Sequence, residues 1–481
     1  MTKPRPFLTL PATGAATLPA MLTTYKAAGR GLHTLTGWLF LLGLLLGINA
    51  LAPAAAPVKL DVELANPVVL SRGPQRTYLR VALTGMRPGP KRRVPVNTAI
   101  VLDRSGSMAG NKLEEAKRAA ILALDRLDDN DTLSVVVYGS TVEVLVPATQ
   151  LRERDHIRRA IQRIQSTGST ALFAGLSKGA AQVRRYLDEN RVNNILLLSD
   201  GLANVGPSSP AELEQLGRSL GREGITVTTI GLGLHYNEDL MMRVAMASDG
   251  NHFFVEEAQD LEAAFATEFG DALSTVAQGV NIRLRCPAGV RPIRVLGREA
   301  TISGQTVQAT INQIYQDQTR YLLLEVEVTP GSAGASQPVA DVDVEFRDLV
   351  AKNNQQLQGG ARVSYTASAS EVESKKNREV LVSVASQVAA ERNKVAAALR
   401  EEGKIEEAKK AYQANAVYLK QEAKDLAAPA LATEAAVADE AEAAVTNDVE
   451  WNRSRKVQME STNQVIQQRA PKAAAPKKRP E

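Results

Sequence analysis

Hydrophobic positions recur along this chain in two alternating rhythms, and each change of rhythm marks a change of structure. Residues 60–64 (Leu-Asp-Val-Glu-Leu) and 78–83 (Tyr-Leu-Arg-Val-Ala-Leu) alternate apolar and polar side chains, the period of strands with one buried face. Gly73-Pro74 makes a turn between them. Pro88-Gly89-Pro90 with Lys91-Arg92-Arg93 reads as a linker. From residue 96 to about residue 277 uninterrupted apolar runs take over, such as Ile100-Val101-Leu102 and Ile195-Leu196-Leu197-Leu198, separated by helical patterns. Strands buried on both faces and alternating with helices imply a parallel sheet covered on both sides. Asn111 is placed to cap the first helix, whose stripe is Leu113, Ala116, Ala120, Leu124 and Leu127. Ser209-Pro210-Ala211-Glu212 opens a capped helix with proline at its first position, and the closing helix runs from residue 258 to about 276.

Alternation returns at residues 280–285, 321–328 and 342–346. Residues 57–93 are therefore expected to pair with residues 279–367 in one discontinuous β-sandwich, from which an α/β domain of residues 94–277 projects. Residues 370–426 are rich in Ala, Glu, Lys and Val, with Gly403 between two helical patterns, and predict a helical hairpin. Residues 427–481 are Ala-rich and then polar, ending Lys477-Lys478-Arg479-Pro480-Glu481, and are read as a disordered tail. The fold class expected is a doubly wound, mostly parallel α/β sheet with a β-sandwich and a C-terminal α-helical region.

Charge changes this picture at the N-terminus. The formal net charge is +4, yet Lys3, Arg5, Lys26 and Arg30 are the only charged residues before Val58, so the remainder is neutral. A balanced chain speaks against nucleic-acid binding. Residues 1–56 place basic residues, then a Leu-rich uncharged stretch, then Ala52-Pro53-Ala54, the order of a secretory signal. Met21 would give a signal of ordinary length, and the same apolar stretch is long enough to serve instead as an uncleaved membrane anchor. Either reading puts the bulk of the chain outside the cytoplasm, in a periplasm or cell envelope. The single cysteine, Cys286, excludes an internal disulfide and any Cys-rich zinc site, and is expected to be packed.

The candidate chemistry sits just after the first α/β strand. Asp103-Arg104-Ser105-Gly106-Ser107 places a carboxylate and two hydroxyls at spacing two on a turn, and oxygen donors of this kind suit a hard cation. Thr170 follows in Gly168-Ser169-Thr170, before a helix. Asp200 follows the strand ending at Leu198. Such turns lie at the carboxyl edge of a parallel sheet, where ligands bind in open α/β folds. Taken together, Asp-x-Ser-x-Ser, Thr and Asp in this order resemble the metal-ion-dependent adhesion site of von Willebrand factor type A domains, and the β segments on either side loosely resemble the layout of inter-α-trypsin inhibitor heavy chains. The resemblance implies that Ser105, Ser107 and Thr170 supply hydroxyl oxygens while Asp103 and Asp200 act directly or through water. It implies Mg²⁺ as the ion, with Mn²⁺ or Ca²⁺ as alternatives, and a protein partner that completes the coordination with an Asp or Glu. Arg104 would then sit at the rim, solvated or facing an acidic partner. No catalytic residue is assigned. A serine hydrolase built on Ser107, Asp200 and one of His156, His235 or His252 is the enzymatic alternative, but no Gly-x-Ser-x-Gly elbow is present. His252, within an apolar strand, reads as a packed ring. A metal-free structural scaffold is the remaining alternative.

Overall fold

The computed structural model describes residues 56–87 and 93–469. Residues 1–55 of the leader and the last residues of the tail lie outside them. Among the described residues, no helix is long and apolar enough to cross a membrane.

The chain begins with β1 (Val58–Leu64), β2 (Val68–Leu70) and β3 (Gln75–Gly85). Next come β4 (Val96–Asp103), α1 (Asn111–Arg126), β5 (Thr132–Tyr138), β6 (Val142–Gln150), α2 (Arg154–Gln162) and α3 (Leu172–Arg184). They are followed by β7 (Val192–Ser199), α4 (Pro210–Arg222), β8 (Ile225–Leu232), α5 (Glu238–Ala247), β9 (His252–Val255) and α6 (Leu261–Leu273). A second β region holds β10 (Thr275–Arg285), β11 (Val290–Leu296), β12 (Ala300–Ser303), β13 (Thr306–Tyr315), β14 (Thr319–Val328), β15 (Ser336–Asp348) and β16 (Asn353–Thr366). The helices α7 (Ala369–Ser374), α8 (Arg378–Glu401), α9 (Ile405–Asp425), α10 (Pro429–Ala444) and α11 (Asp448–Ile466) complete it.

The α/β sheet has the strand order β6-β5-β4-β7-β8-β9, parallel except for the β6 edge. Every residue of β4, β5, β7 and β8 is buried. That is why their sequences are continuous apolar runs rather than alternating ones. Helices α1 and α6 cover one face through Leu113, Leu124, Phe265 and Phe269; α3, α4 and α5 cover the other through Leu176, Leu213 and Val244. The chain leaves β4 toward β5 on one side and returns as β7 on the other, so the order reverses at β4, and the crevice at a reversal point is where such sheets bind ligands.

The second body is a sandwich of sheets β1-β3-β14-β11 and β12-β13-β10-β15-β16-β2. Strand β3 is antiparallel to β14, with Leu79 opposite Leu324 and Val81 opposite Leu322. These side chains bury against Ile282, Leu284, Val342 and Val344 of the other sheet. Cys286 is buried at this core, and burial pushes its thiol up to about 11.

Several boundaries differ from the sequence reading. The closing helix ends at Leu273 and β10 starts at Thr275, so the strand that opens the second half of the sandwich begins inside the span assigned to the α/β domain. Helix α1 is preceded by Gly110 at φ 79°, and Asn111 is its first residue rather than its cap. The largest difference lies in the tail, where residues 429–444 and 448–466 are helices, not disorder. Alanines 435, 438 and 441 are buried in the packing of α10, and Trp451, Met459 and Ile466 in that of α11. A composition rule counts alanine as weakly hydrophobic, whereas a close helix interface needs its small size and its helix propensity. The expected hairpin is α8 and α9, which Gly403, at φ 78°, turns one into the other, and α10 and α11 extend it to four long helices.

Helix α11 docks on the α/β domain. The Asn452 side chain donates to the Leu234 carbonyl at 3.0 Å, and buried Lys456 donates to Glu238 Oε2 at 2.8 Å. The Asn463 side chain accepts from the His252 backbone N–H at 3.2 Å. On the sandwich side, Asp249 Oδ1 accepts from Arg320 at 2.8 Å and Arg298 at 3.0 Å, tying the end of α5 to the sandwich strands.

Candidate metal centre

The five oxygen-bearing side chains singled out in the sequence meet at the carboxyl edge of β4 and β7. Asp103 is the last residue of β4 and is fully buried. Its Oδ1 accepts from the Ser105 N–H at 2.8 Å, which folds the chain into the turn, and its Oδ2 accepts from the Ser199 hydroxyl at 2.8 Å. Ser105 Oγ lies 3.1 Å from Ser107 Oγ, and Ser107 donates to Asp200 Oδ1 at 2.6 Å. Thr170 comes from a different loop, whose carbonyl at Gly168 accepts from the Gly106 N–H at 2.9 Å. Gly201 joins the two sides. A Cβ built there would stand 3.4 Å from Ser107 Oγ and 3.6 Å from Thr170 Oγ1, so both hydroxyls border the space that its missing side chain leaves.

Backbone hydrogen bonds fix these loops. The Arg104 N–H donates to the Tyr138 carbonyl at 2.7 Å, and the Thr167 N–H donates to the Arg104 carbonyl at 2.7 Å. The Ala171 N–H donates to the Gly139 carbonyl at 2.9 Å. Gly168 takes φ 71° and packs against Ser140, where a side chain would be both strained and blocked. Beneath the site Tyr138 is wholly buried and donates to the Leu198 carbonyl at 2.9 Å; burial raises its phenol well above the usual range.

Electrostatically the site is anionic. Asp103 and Asp200 are both buried. Burial pushes the Asp103 carboxyl above the usual carboxylate range, the charge of Asp200 acts in the same direction, and the hydrogen bonds from Ser105 and Ser199 oppose it. Lys112, in the first turn of α1, donates to Asp200 Oδ2 at 2.6 Å. The donor set passes a simple test for a hard divalent cation: two carboxylates and three hydroxyls converge, with only one protein cation beside them. Among the described residues no three His, Cys, Asp or Glu side chains cluster as a metal site, here or elsewhere; at this site hydroxyls make up the donor set beside two carboxylates.

Sequence reasoning missed Lys112, Asn204 and the part played by Ser199. A cation in the first turn of a helix opposes the macrodipole, so Lys112 was a readable sign of a neighbouring anion. Asn204 accepts from the Thr170 N–H at 2.8 Å through its side chain and carries no such signal. Arg104 is not freely solvated; its side chain is largely buried and pairs with Glu143 of β6 at 3.1 Å. His252 is a packed ring, buried between Thr229 Oγ1 at 2.9 Å and the Tyr236 hydroxyl at 3.3 Å.

A doubly wound sheet carrying this donor set at its reversal point defines the class, and residues 97–267 match the family model of the von Willebrand factor type A (VWA) domain. The chain carries a VWA domain, a type of domain that often serves as a metal-dependent protein–protein interaction module. The uncharacterized protein sll0103 of Synechocystis is 28% identical over 283 residues, covering 56% of this chain and 66% of its own length. Human inter-alpha-trypsin inhibitor heavy chain H3 is 27% identical over 198 residues, 39% of this chain and 22% of that protein. The chain therefore spans less than two thirds of the length of either relative. A solved von Willebrand factor type A protein from Catenulispora acidiphila superposes with a TM-score of 0.62 at 18% identity, covering 84% of this chain and 96% of that one. That likeness extends past the VWA domain to the sandwich and helices, and it is one of fold.

Proposed function

We propose that this chain is a non-enzymatic, metal-dependent protein-binding module whose VWA site takes Mg²⁺ and captures an acidic side chain of a partner. The observation that carries the reading is the convergence of Ser105, Ser107 and Thr170 hydroxyls with the Asp103 and Asp200 carboxylates on one rigid sheet edge. In this reading the three hydroxyls and the two carboxylates hold the ion, and the bound ion supplies a position that a partner's Asp or Glu carboxylate can fill. The chain's own part is orientation. Ser199 and the Ser105 N–H hold the Asp103 carboxylate, Asn204 holds the Thr170 loop, and Gly201 keeps the space between the hydroxyls free. Few anionic donors leave the ion with residual positive charge, which favours an incoming carboxylate. Leu202 and Val205, exposed beside Asp200, offer that partner an apolar contact. The leader supports placing the module outside the cytoplasm, either secreted or anchored in the membrane.

The test is thermal. At a ligand concentration a hundredfold above Kd, binding stabilises a fold by about 2.7 kcal/mol, so Mg²⁺ or Mn²⁺ should raise the melting temperature. Asp103→Ala and Thr170→Ala should abolish that rise and, with it, EDTA-sensitive capture of partners from an envelope extract. A wild-type melting temperature indifferent to both ions would defeat the proposal.

A further inference from the structure

A cleft of about 790 Å³ opens where the three parts of the fold meet. Its walls come from α4 and α5 of the VWA domain, from the turn at residues 297–299 of the sandwich, and from α8 and α11 of the helical region. The volume is that of a small-molecule site. Met242, Met246 and Met459 give it apolar, adaptable walls.

Its charges are unevenly matched. Lys394 of α8 reaches in, and its ammonium lies 3.9 Å from the Met246 thioether. Among the described residues no carboxylate comes within ion-pairing distance of it. Glu391, one turn earlier, is held instead by Arg294 at 2.8 Å. Burial lowers the Lys394 ammonium from its ordinary value, Arg243 adds to that, and Glu391 opposes it. Arg298 lines a second wall with a side chain only 9% exposed. It shares Asp249 Oδ1 with Arg320, while Asp249 Oδ2 is occupied by the Asn312 N–H at 2.7 Å. Two guanidiniums on one carboxylate leave a positive charge over; Arg298 Nη1 also donates to the Thr310 carbonyl at 3.2 Å, and its Nε and Nη2 are buried with no acceptor. Exposed Arg222 stands at the rim. The other carboxylates of the cleft are paired, the two guanidiniums of Arg218 and Arg243 holding Glu214, Asp239 and Glu299 while Arg455 holds Glu401, so the surplus of positive charge is local to Lys394 and Arg298 and is not a property of the whole lining. Cations buried without counter-ions are costly, and an anion brought from outside removes that cost.

We propose that this cleft binds a small organic anion, with its charged group between Lys394 and Arg298 and its apolar body along the methionines. The ligand would touch all three parts of the fold at once and brace them. This site lies apart from the VWA metal centre and does not depend on its occupancy.

The test uses the full chain and 1-anilinonaphthalene-8-sulfonate, an anion with an apolar body. The probe should bind saturably at one site, raise the melting temperature, and be displaced by millimolar inorganic phosphate. Lys394→Met keeps most of the unbranched side chain, one atom shorter, and removes its charge; it should weaken probe binding about tenfold or more while the Mg²⁺-dependent melting rise stays as in the wild type. If Lys394→Met fails to fold, Arg222→Ala combined with Lys394→Gln makes the same comparison. Absence of saturable binding, or probe affinity unchanged by the loss of the Lys394 charge, would overturn the proposal.

Discussion

At the scale of single residues, the cluster of oxygen donors was readable because three of them lie close together in sequence: Asp103, Ser105 and Ser107 occupy one turn. What could not be read was the company they keep. Lys112 meets Asp200 only because α1 starts beside β7, and Arg104 finds Glu143 only because β6 pairs back onto β5. Lys112→Met should therefore act in two directions. The metal-free protein loses a counter-ion for a buried carboxylate and should melt lower, whereas Mg²⁺ should bind severalfold more tightly, since a unit charge at close range is worth on the order of 1 kcal/mol in a well-solvated setting. Calorimetric titration of the variant checks this, and weaker Mg²⁺ binding would show that Lys112 supports the ion instead of competing with it. Asp249 gives a pH signature. Burial alone would raise its carboxyl, but Arg320 and Arg298 with the Asn312 N–H outweigh burial and hold it at about 2, below the ordinary 3.8. With the folded value depressed, the stabilisation is complete above about pH 4 and is lost as pH falls toward 2, a change of about 2 kcal/mol. In urea unfolding, the gap between wild type and Asp249→Asn should narrow by that amount over the same range.

At the scale of elements, chemistry local to a segment was readable and packing between segments was not. Ser209 and Glu212 form the reciprocal capping box that their spacing announces, and Asn237 accepts from the Leu240 N–H as the cap of α5. Strand β16 escaped because Asn353, Asn354, Gln355, Gln356 and Gln358 carry no apolar rhythm; β15 supplies the pairing that makes it a strand. Helices α10 and α11 escaped for the opposite reason: Leu431 and Ala435 of α10 pack against Ala385, Ala389 and Leu419 of α8 and α9, and α11 docks on residues 211 to 218 positions earlier in the chain. Lys456 shows what those contacts are worth. It is buried beside Glu238, with its ammonium 4.9 Å from the centre of the Tyr236 ring. Lys456→Met should cost about 3–5 kcal/mol, because Glu238 is then buried with one of its two cations missing. Removing residues 448–469 altogether should lower the melting temperature further and open β9 and α5 to limited proteolysis. Unchanged cleavage patterns would show that α11 merely rests on the VWA domain.

At the scale of the whole molecule, the VWA domain is an insertion. It leaves the sandwich after β3 and rejoins it at β10, so the sandwich is built from two stretches separated by the whole VWA domain. The alternation in residues 60–64 and 78–83 revealed strands, and their partners followed from matching periods; the second sheet's six-strand order had no such sign. A fragment of residues 275–469 lacks β3, which forms one neighbour of β14, and should not yield a dispersed NMR spectrum. Adding residues 56–87 as a separate peptide should restore it, because Leu79, Val81 and Leu83 complete the core.

The pairing of β3 with β14 also has a history in time. Leu79 meets Leu324, a residue that a ribosome reaches only after adding a further stretch of about 245 residues, which takes roughly 12–50 s at ordinary rates of synthesis. Throughout that interval the early strands emerge with their apolar faces bare while the complete VWA domain is made between them. An unpaired strand edge of this kind invites association with a neighbouring chain. Residues 58–85, made early, thus wait longest for their partner strand, and during that wait they are a part of the nascent chain with particular need of a chaperone.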